Sequence, residues 1–369
     1  MTAMKGRVVV CRQYRKPFDI EEYEVPPLDP GAILLRTAQS GVCGSDLHTW
    51  RGDQEKAPLP KAGKLMGHEG FATIDSLGKG VKTDSLGQPL HEGDRVVYSA
   101  LFPCYHCRHC LKGNTAFCLD RPVPVAGVYP YFTATYADYM YLPPRHPIFK
   151  APDSLPDEVL APVNCATGTV MQGLRSAGAR EGHTVVIQGA GGLGLTATAV
   201  AKDLGAHQVI VLDRLENRLQ LAEEFGADHT INVEEFNTPE ARVGRVKELT
   251  HGRGADIVME LVGRAELMAE GLQMLDNTGT FLEIGDIVPG RTVAIDPSTL
   301  LKGKRIVGSL MYPAEILPLA LDFLERNVSR RPFHKIVSHK FKLADVNKAF
   351  EQAEWNARQT AVTRAVLVP

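Results

Sequence analysis

The sequence predicts an α/β protein. A doubly wound parallel sheet occupies the second half of the chain and is joined to a mainly β region in the first. Two observations carry this expectation. From Thr184 onward, continuous apolar or β-prone runs, Thr184–Gln188 and Gln208–Leu212, alternate with helical periodicity. Strands buried on both faces of a parallel sheet read this way. Before about residue 150 the runs are shorter: Arg7–Cys11, Ala32–Thr37, Gly70–Ser76 and Asp94–Ser99, with Gly, Pro and Asp between them. The texture changes after Pro162.

In the second region, Leu193–Leu204 has helical spacing and stops at Gly205. Asp256–Met259 and Thr280–Ile284 read as further strands, and an amphipathic helix falls near Ala344–Glu354. The first strand, Thr184–Gln188, runs directly into Gly189-Ala-Gly191-Gly192-Leu193-Gly194, a G-x-G-x-x-G loop. Gly189 permits a tight turn, Gly191 lets the backbone approach a pyrophosphate, and Gly194 allows close helix–strand packing. The helix that follows points its positive end at the phosphates. Such a glycine pattern alone can be an ordinary turn; here a strand precedes it and a helix follows. Asp213 ends the next strand, 19 residues beyond Gly194. A carboxylate there can accept from ribose hydroxyls and repel a 2′-phosphate, which favours NAD over NADP. Arg214 and Arg218 pull the other way if either approaches a phosphate; otherwise they are solvated residues at a helix start.

Composition bounds the rest. The chain has 369 residues, 44% of them hydrophobic and 23% charged, enough for about two domains without disulfide staples. A formal net charge of -2 offers no broad attraction to nucleic acid or anionic membrane. No apolar run is long enough to span a bilayer, and Met1–Cys11 lacks the apolar core of a secretory signal. The expectation is a cytoplasmic enzyme. Seven cysteines in such a chain point to metal or redox chemistry more than to crosslinks.

Four of them, Cys104, Cys107, Cys110 and Cys118, form C-x2-C-x2-C-x7-C. Four thiolates this close can surround one tetrahedral zinc in a closed structural site; on spacing alone an iron–sulfur cluster stays open. A second constellation is dispersed. Gly41-Val-Cys-Gly-Ser-Asp-Leu-His48 carries a thiolate, a hydroxyl, a carboxylate and an imidazole; Gly67-His-Glu69 follows, and Cys165 lies in Ala161-Pro-Val-Asn-Cys165. Singly, Cys43 and Cys165 read equally well as small buried residues and His68 as a core histidine. Their combination with the four-cysteine run and the glycine loop points to a metal centre.

These blocks, with Gly93-Asp-Arg-Val96, resemble the zinc-containing medium-chain alcohol dehydrogenases across essentially the whole chain. The resemblance implies a GroES-like catalytic domain over 1–165, a Rossmann dinucleotide-binding domain over 166–310, and a segment, 311–369, returning to the first, with the active site in the cleft between the two domains. It implies Cys43, His68 and Cys165 as catalytic zinc ligands, with Glu69 able to approach the metal and Asp46 orienting the zinc histidine. Ser45 and His48 would relay the proton, His48 at the surface. Val262, Ile284 and Gly285 would frame the nicotinamide, or simply pack the sheet. The cofactors implied are two zinc ions per chain and NAD. The reaction implied passes a hydride between an alcohol, held on zinc as its alkoxide, and the nicotinamide. The partners are a small alcohol or carbonyl substrate and further copies of the chain in a homodimer or homotetramer. Two alternatives stand beside this reading: a polyol or cyclic secondary-alcohol dehydrogenase, and a zinc-stabilised binding protein without turnover. Sorbitol-type relatives generally carry glutamate where this chain has Cys165, which argues against the polyol branch. The segment Thr135-Tyr-Ala-Asp-Tyr139, preceded by Tyr129-Pro-Tyr-Phe132, departs from the family's usual pattern and either shapes a substrate pocket or packs a strand.

Overall fold

The computed structural model describes residues 4–53, 58–285, 287–354 and 363–369. They divide into two compact units, 1–165 with 312–326 and 333–369, and 166–311 with 327–332.

The first unit is mainly β, its central strands buried along most of their length and its edge strands alternating between half-buried and exposed side chains. Its early strands are β1 (Lys5–Cys11), β2 (Asp19–Glu24), β3 (Ile33–Val42), β4 (Lys64–Leu65), β5 (Glu69–Leu77), β6 (Arg95–Tyr98), β7 (Tyr139–Leu142) and β8 (Ile148–Lys150). One short helix, α1 (Gly44–Arg51), follows β3 directly. Another, α2 (Asp157–Leu160), leads towards the end of this part of the unit.

The second unit begins with α3 (Gly168–Ser176). It then alternates β9 (Thr184–Gln188), α4 (Gly192–Asp203), β10 (Gln208–Asp213), α5 (Glu216–Glu224), β11 (His229–Asn232), α6 (Pro239–Leu249), β12 (Ala255–Glu260), α7 (Glu266–Met274), β13 (Leu275–Glu283) and β14 (Arg305–Gly308). The strands form one sheet in the order β11-β10-β9-β12-β13-β14, every pair parallel. Val186, Ile210, Leu212, Val258 and Phe281 are buried beneath its helices, as the continuous apolar runs require. The strand order reverses beside β9, which places the β9–α4 loop at a topological switch point, where open α/β sheets bind ligands.

The chain then returns through α8 (Ile316–Asn327), β15 (His339–Lys342), α9 (Val346–Ala353) and β16 (Ala365–Val368). β16 pairs antiparallel with β3 and completes the large sheet of the first unit, whose main path runs β15-β16-β3-β5-β6-β8. α9 buries Val346, Ala349, Phe350 and Ala353, a helical i, i+3, i+4, i+7 stripe, against Val9, Cys11, Phe18 and Leu47. Cys11 thus serves as a small apolar core residue, 1% exposed.

Candidate metal centre and nucleotide loop

Strand register assembles the first site. β3 pairs with β5 through Ser40↔Gly70 and Gly41↔Glu69. That pairing brings Cys43, just past the end of β3, beside His68, just before the start of β5. Cys43 is also the N-cap of α1, and Asp46 in the first turn accepts from the Cys43 backbone N–H at 3.1 Å. Cys165 arrives from a single π-helical turn, Val163–Thr167, a rare conformation that recurs at functional sites. The buried Asn164 side chain pins this turn. Its Oδ1 accepts from the Gly70 N–H at 2.8 Å, and its Nδ2 donates to the Tyr98 carbonyl at 3.2 Å.

The Sγ atoms of Cys43 and Cys165 lie 3.7 Å apart, and Cys165 Sγ lies 3.2 Å from His68 Nε2. The three ligand atoms all fall within 4.8 Å of one another. A tetrahedral zinc with bonds of about 2.0–2.3 Å separates its ligand atoms by roughly 3.5–3.8 Å, so donor set and spacing fit that metal on three corners. Electrostatics agree. Hydrogen bonding from Cys165, and the nearby His68 and Arg364, hold the Cys43 thiol well below its ordinary range despite complete burial. Cys165 is pushed up, by its bond to Cys43 and then by burial. Such a buried thiolate calls for a cation.

The supports of His68 are equally specific. Its Nδ1 lies 3.2 Å from Asp46 Oδ1, which leaves Nε2 facing the sulfurs. Asp46 Oδ2 lies 2.8 Å from the Tyr136 hydroxyl, itself 3.2 Å from the Gly41 carbonyl oxygen. The Thr135–Tyr139 segment therefore contributes a buried hydroxyl that holds the carboxylate, a link the sequence showed only as aromatic excess. Ser45 Oγ lies 3.4 Å from His68 Nε2.

Two placements differ from expectation. Glu69 stands outside the metal-sized group: both its carboxylate oxygens accept from Arg364 Nη1 at 2.5 Å. Arg364 precedes β16, and pairing of β16 with β3 delivers its guanidinium to this carboxylate. Burial lifts Glu69 to about 7, with Arg364 opposing the rise. His48 is not at the surface but buried, 8% exposed, because α1 turns its inner face to the core. Its Nδ1 lies 3.0 Å from Asp53 Oδ2 and 3.0 Å from Arg51 Nη2. Arg51 reaches on to Asp53 at 2.6 Å and to Glu354 at 2.7 Å. Arg364, Tyr136 and Asn164 form no sequence motif and reach the site by tertiary pairing, whereas Asp53 lies just beyond the end of α1.

The four-cysteine segment gathers Cys104, Cys107, Cys110 and Cys118 with their sulfurs within 4.8 Å of one another. Cys107 and Cys110 are 3.6 Å apart and Cys104 and Cys110 4.0 Å, close to the edge of a zinc–thiolate tetrahedron and far from a disulfide bond. All four are free thiols. Backbone N–H groups point at the sulfurs, from Cys107 to Cys104 Sγ at 3.3 Å and from Cys104 to Cys118 Sγ at 3.2 Å. Backbone donors from Leu119 and Cys110 lower Cys107 to about 6. Cys104 also lies within 4.8 Å of ligand atoms of the exposed His106 and Asp120.

In the second unit the glycine loop has the geometry its spacing predicts. Gly189 sits at φ +104°, a conformation closed to most side chains. A Cβ on Gly194 would stand 1.8 Å from the Gly189 carbonyl oxygen, whereas one on Gly191 would meet nothing within 4 Å. Gly191 caps α4, with Gly192, Leu193 and Gly194 in its first turn. Asp213 lies against this loop, its Oδ2 accepting from the Ala190 N–H at 2.7 Å and its Oδ1 from the Leu215 N–H at 2.9 Å. Arg218 is half-buried nearby, and desolvation lowers its pKa against the pull of Asp213. Val262, 42% exposed, follows β12, and Ile284 and Gly285 follow β13.

Comparison with known proteins agrees with both halves of this description. The alcohol dehydrogenase GroES-like domain family matches residues 29–153, and the zinc-binding dehydrogenase family matches residues 192–326. The chain is 33% identical over 342 residues to a 5-exo-hydroxycamphor dehydrogenase of Pseudomonas putida, covering 90% of this chain and 92% of that protein. It is 31% identical over 353 residues to an alcohol dehydrogenase of Geobacillus stearothermophilus, covering 94% and 95%. The crystal structure of a Thermotoga maritima alcohol dehydrogenase superposes with a TM-score of 0.90 at 30% identity, covering 99% of this chain and all of that one. A GroES-like unit and a parallel-sheet Rossmann unit, on a chain with these relatives, define an oxidoreductase of the alcohol dehydrogenase type. The chain belongs to the zinc-containing medium-chain alcohol dehydrogenase family.

Proposed function

We propose that this protein interconverts an alcohol and its aldehyde or ketone, exchanging a hydride with NAD in preference to NADP, and that it holds two zinc ions per chain. The observation that carries the reading is the convergence of Cys43, His68 and Cys165 from three separated segments onto one metal-sized point. Three protein ligands leave a four-coordinate zinc one open position, and a zinc there supplies the Lewis acidity that makes an alcohol proton easier to lose.

The chain's own residues then have distinct tasks. Asp46 orients His68 and is itself held by Tyr136. Ser45, within 3.4 Å of His68 Nε2, accepts the alcohol proton and hands it on towards His48. Asp53 and Arg51 meet His48 at Nδ1 and fix the orientation of its ring. Cys104, Cys107, Cys110 and Cys118 hold the second zinc, which orders a segment with little apolar content of its own. Asp213, Arg218, Val262, Ile284 and Gly285 line the dinucleotide site with the loop Gly189–Gly194. Asp213 at the end of β10 supports the preference for NAD.

Similarity to the hydroxycamphor enzyme supports a second, narrower reading, in which the substrate is a cyclic secondary alcohol. A homodimer or homotetramer accords with Ile306 and Leu310, 40% and 49% exposed on and just beyond the edge strand β14. Seven free cysteines, most of them gathered at metal-sized sites, accord with a reducing cytoplasm. Purified protein offered primary, cyclic secondary and polyol substrates, with NAD and with NADP, tests the proposal through nicotinamide absorbance. Cofactor binding without turnover of any alcohol would identify a binding protein and defeat it. NADP preferred over NAD would defeat the role given to Asp213.

A further inference from the structure

A polar row, buried at two of its three residues and half-buried at the third, crosses the second unit where the hydride-transfer reading assigns no residue. Gln188, Glu260 and Glu283 stand in register at the ends of β9, β12 and β13. In adjacent parallel strands, registered side chains leave the same face of the sheet. Gln188 is 2% exposed and Glu260 wholly buried, positions at which a carboxyl is expensive unless it has work to do.

Glu260 touches three things. Its Oε1 accepts from the backbone N–H of Val262 at 2.7 Å and of Gly263 at 2.8 Å, which fixes the turn leaving β12. Val262 in turn packs on the glycine loop: a Cβ on Gly189 would stand 2.9 Å from Val262 Cγ2. The other oxygen, Oε2, abuts the end of β13, where a Cβ on Gly285 would meet it at 2.3 Å. Among the described residues no group donates to Oε2. The Glu283 carboxyl lies beside it, and as two carboxylates neither has a hydrogen to give. One shared proton supplies the missing donor.

Burial and the charge of Glu283 act together on Glu260, and the N–H groups of Gly263 and Val262 oppose them. Arg264 brings only its backbone N–H, 3.5 Å from Oε1, while its guanidinium turns to Glu266 at 3.8 Å. Arg291 donates to the Gly263 carbonyl at 2.7 Å. Gln188 is neutral.

We propose that Glu260, sharing a proton with Glu283, is a positioning residue that sets the 261–264 turn against the glycine loop and so fixes the nicotinamide end of the bound dinucleotide. This rests on the reading that the second unit binds a dinucleotide. Burial, and next the charge of Glu283, raise Glu260 to about 8. The pair therefore keeps its proton at neutral pH and loses it in mildly alkaline solution. Two adjoining carboxylates then repel, and the turn they hold gives way.

The experiment is fluorescence titration of the full-length protein with NADH and with NADPH, from about pH 6.5 to about pH 9.5, on the parent, Glu260→Gln and Glu260→Leu. The parent should bind roughly three- to tenfold more weakly as pH rises past about 8. Gln keeps both an acceptor for the turn and a donor for Glu283. It should match the parent at neutral pH within about threefold and lose the alkaline weakening. Leu should bind roughly tenfold more weakly throughout, with KM for the dinucleotide rising more than kcat falls. A Gln variant that weakens with pH as the parent does, or a folded Leu variant that binds as the parent does, overturns the assignment. If Leu fails to fold, the Gln profile decides alone. A parent that binds neither NADH nor NADPH overturns the dinucleotide reading and this inference with it; a parent that binds, with indifferent variants, overturns only the inference.

Discussion

Asp46 shows how much a single side chain organises. One carboxylate caps α1 through Cys43, orients His68 and receives Tyr136. Asp46→Asn keeps the shape but removes the charge that supports the imidazole. Loss of such an outer partner typically costs about 10–100-fold in metal affinity or activity. Competition with a chromogenic chelator should show this loss for one zinc and spare the other; equal affinity for both would refute the role. His146 offers a test of a different kind. It is 6% exposed, and its Nε2–H donates to the Ser99 carbonyl at 2.8 Å. Burial pushes it down to about 4, against the modest help of that carbonyl. An unfolded histidine titrates near 6.5, so between about pH 6.5 and about pH 4 the unfolded chain binds the proton that the folded chain refuses. Stability from this group is therefore full above about pH 6.5 and falls as pH drops, by about 2 kcal/mol at about pH 5. His146→Gln keeps a donor and cannot titrate. Its melting temperature should fall less than the parent's between neutral pH and pH 5, and parallel profiles would refute the assignment.

At the scale of elements, the strand–loop–helix β9–α4 was legible because its constraints are local. A strand, a turn needing φ > 0, and a helix that must pass close to the turn are all encoded within a dozen residues. Gly194→Ala would drive a methyl into the Gly189 carbonyl, 1.8 Å away, and backbone on both sides must move. Overpacking of this kind costs about 1–3 kcal/mol, so NADH affinity should fall roughly tenfold or more while zinc content stays at the parent value. Unchanged NADH titration curves would contradict this account of the loop. The π turn that carries Cys165 shows the opposite case. Nothing in Val163–Thr167 announces a π conformation; Asn164 imposes it by reaching Gly70 and the Tyr98 carbonyl. Likewise the sequence suggested Glu69 as an occasional metal ligand, and the pairing of β16 with β3 committed it to Arg364 instead.

For the whole molecule, two separate metal-sized clusters make a quantitative prediction. The parent should contain two zinc ions per chain by elemental analysis, and one zinc in a fully active chain would refute the two-site proposal. Cys107→Ser and Cys165→Ala should each retain one. Only the first should lower thermal stability markedly, because the four-cysteine segment depends on metal for order, whereas Cys165 lies in a packed unit. Equal melting temperatures for the two variants would contradict that division.

The sequence by itself determined what is written in short, local patterns. These are the alternating strands and helices of the second unit, the glycine loop and the C-x2-C-x2-C-x7-C segment; Cys43, His68 and Cys165, spread along the chain, were proposed as ligands through the family resemblance. Spacing, periodicity and donor chemistry are properties of neighbouring residues, so they survive without coordinates. Tertiary structure decided everything that depends on which strands meet. It joined Arg364 to Glu69 across 295 positions and Asn164 to Gly70 across 94, and set Glu260 against Glu283 at the ends of adjacent strands. The physical reason is common to all three. A buried polar group must find its partner inside the fold, and strand register, not sequence distance, chooses which partner it finds.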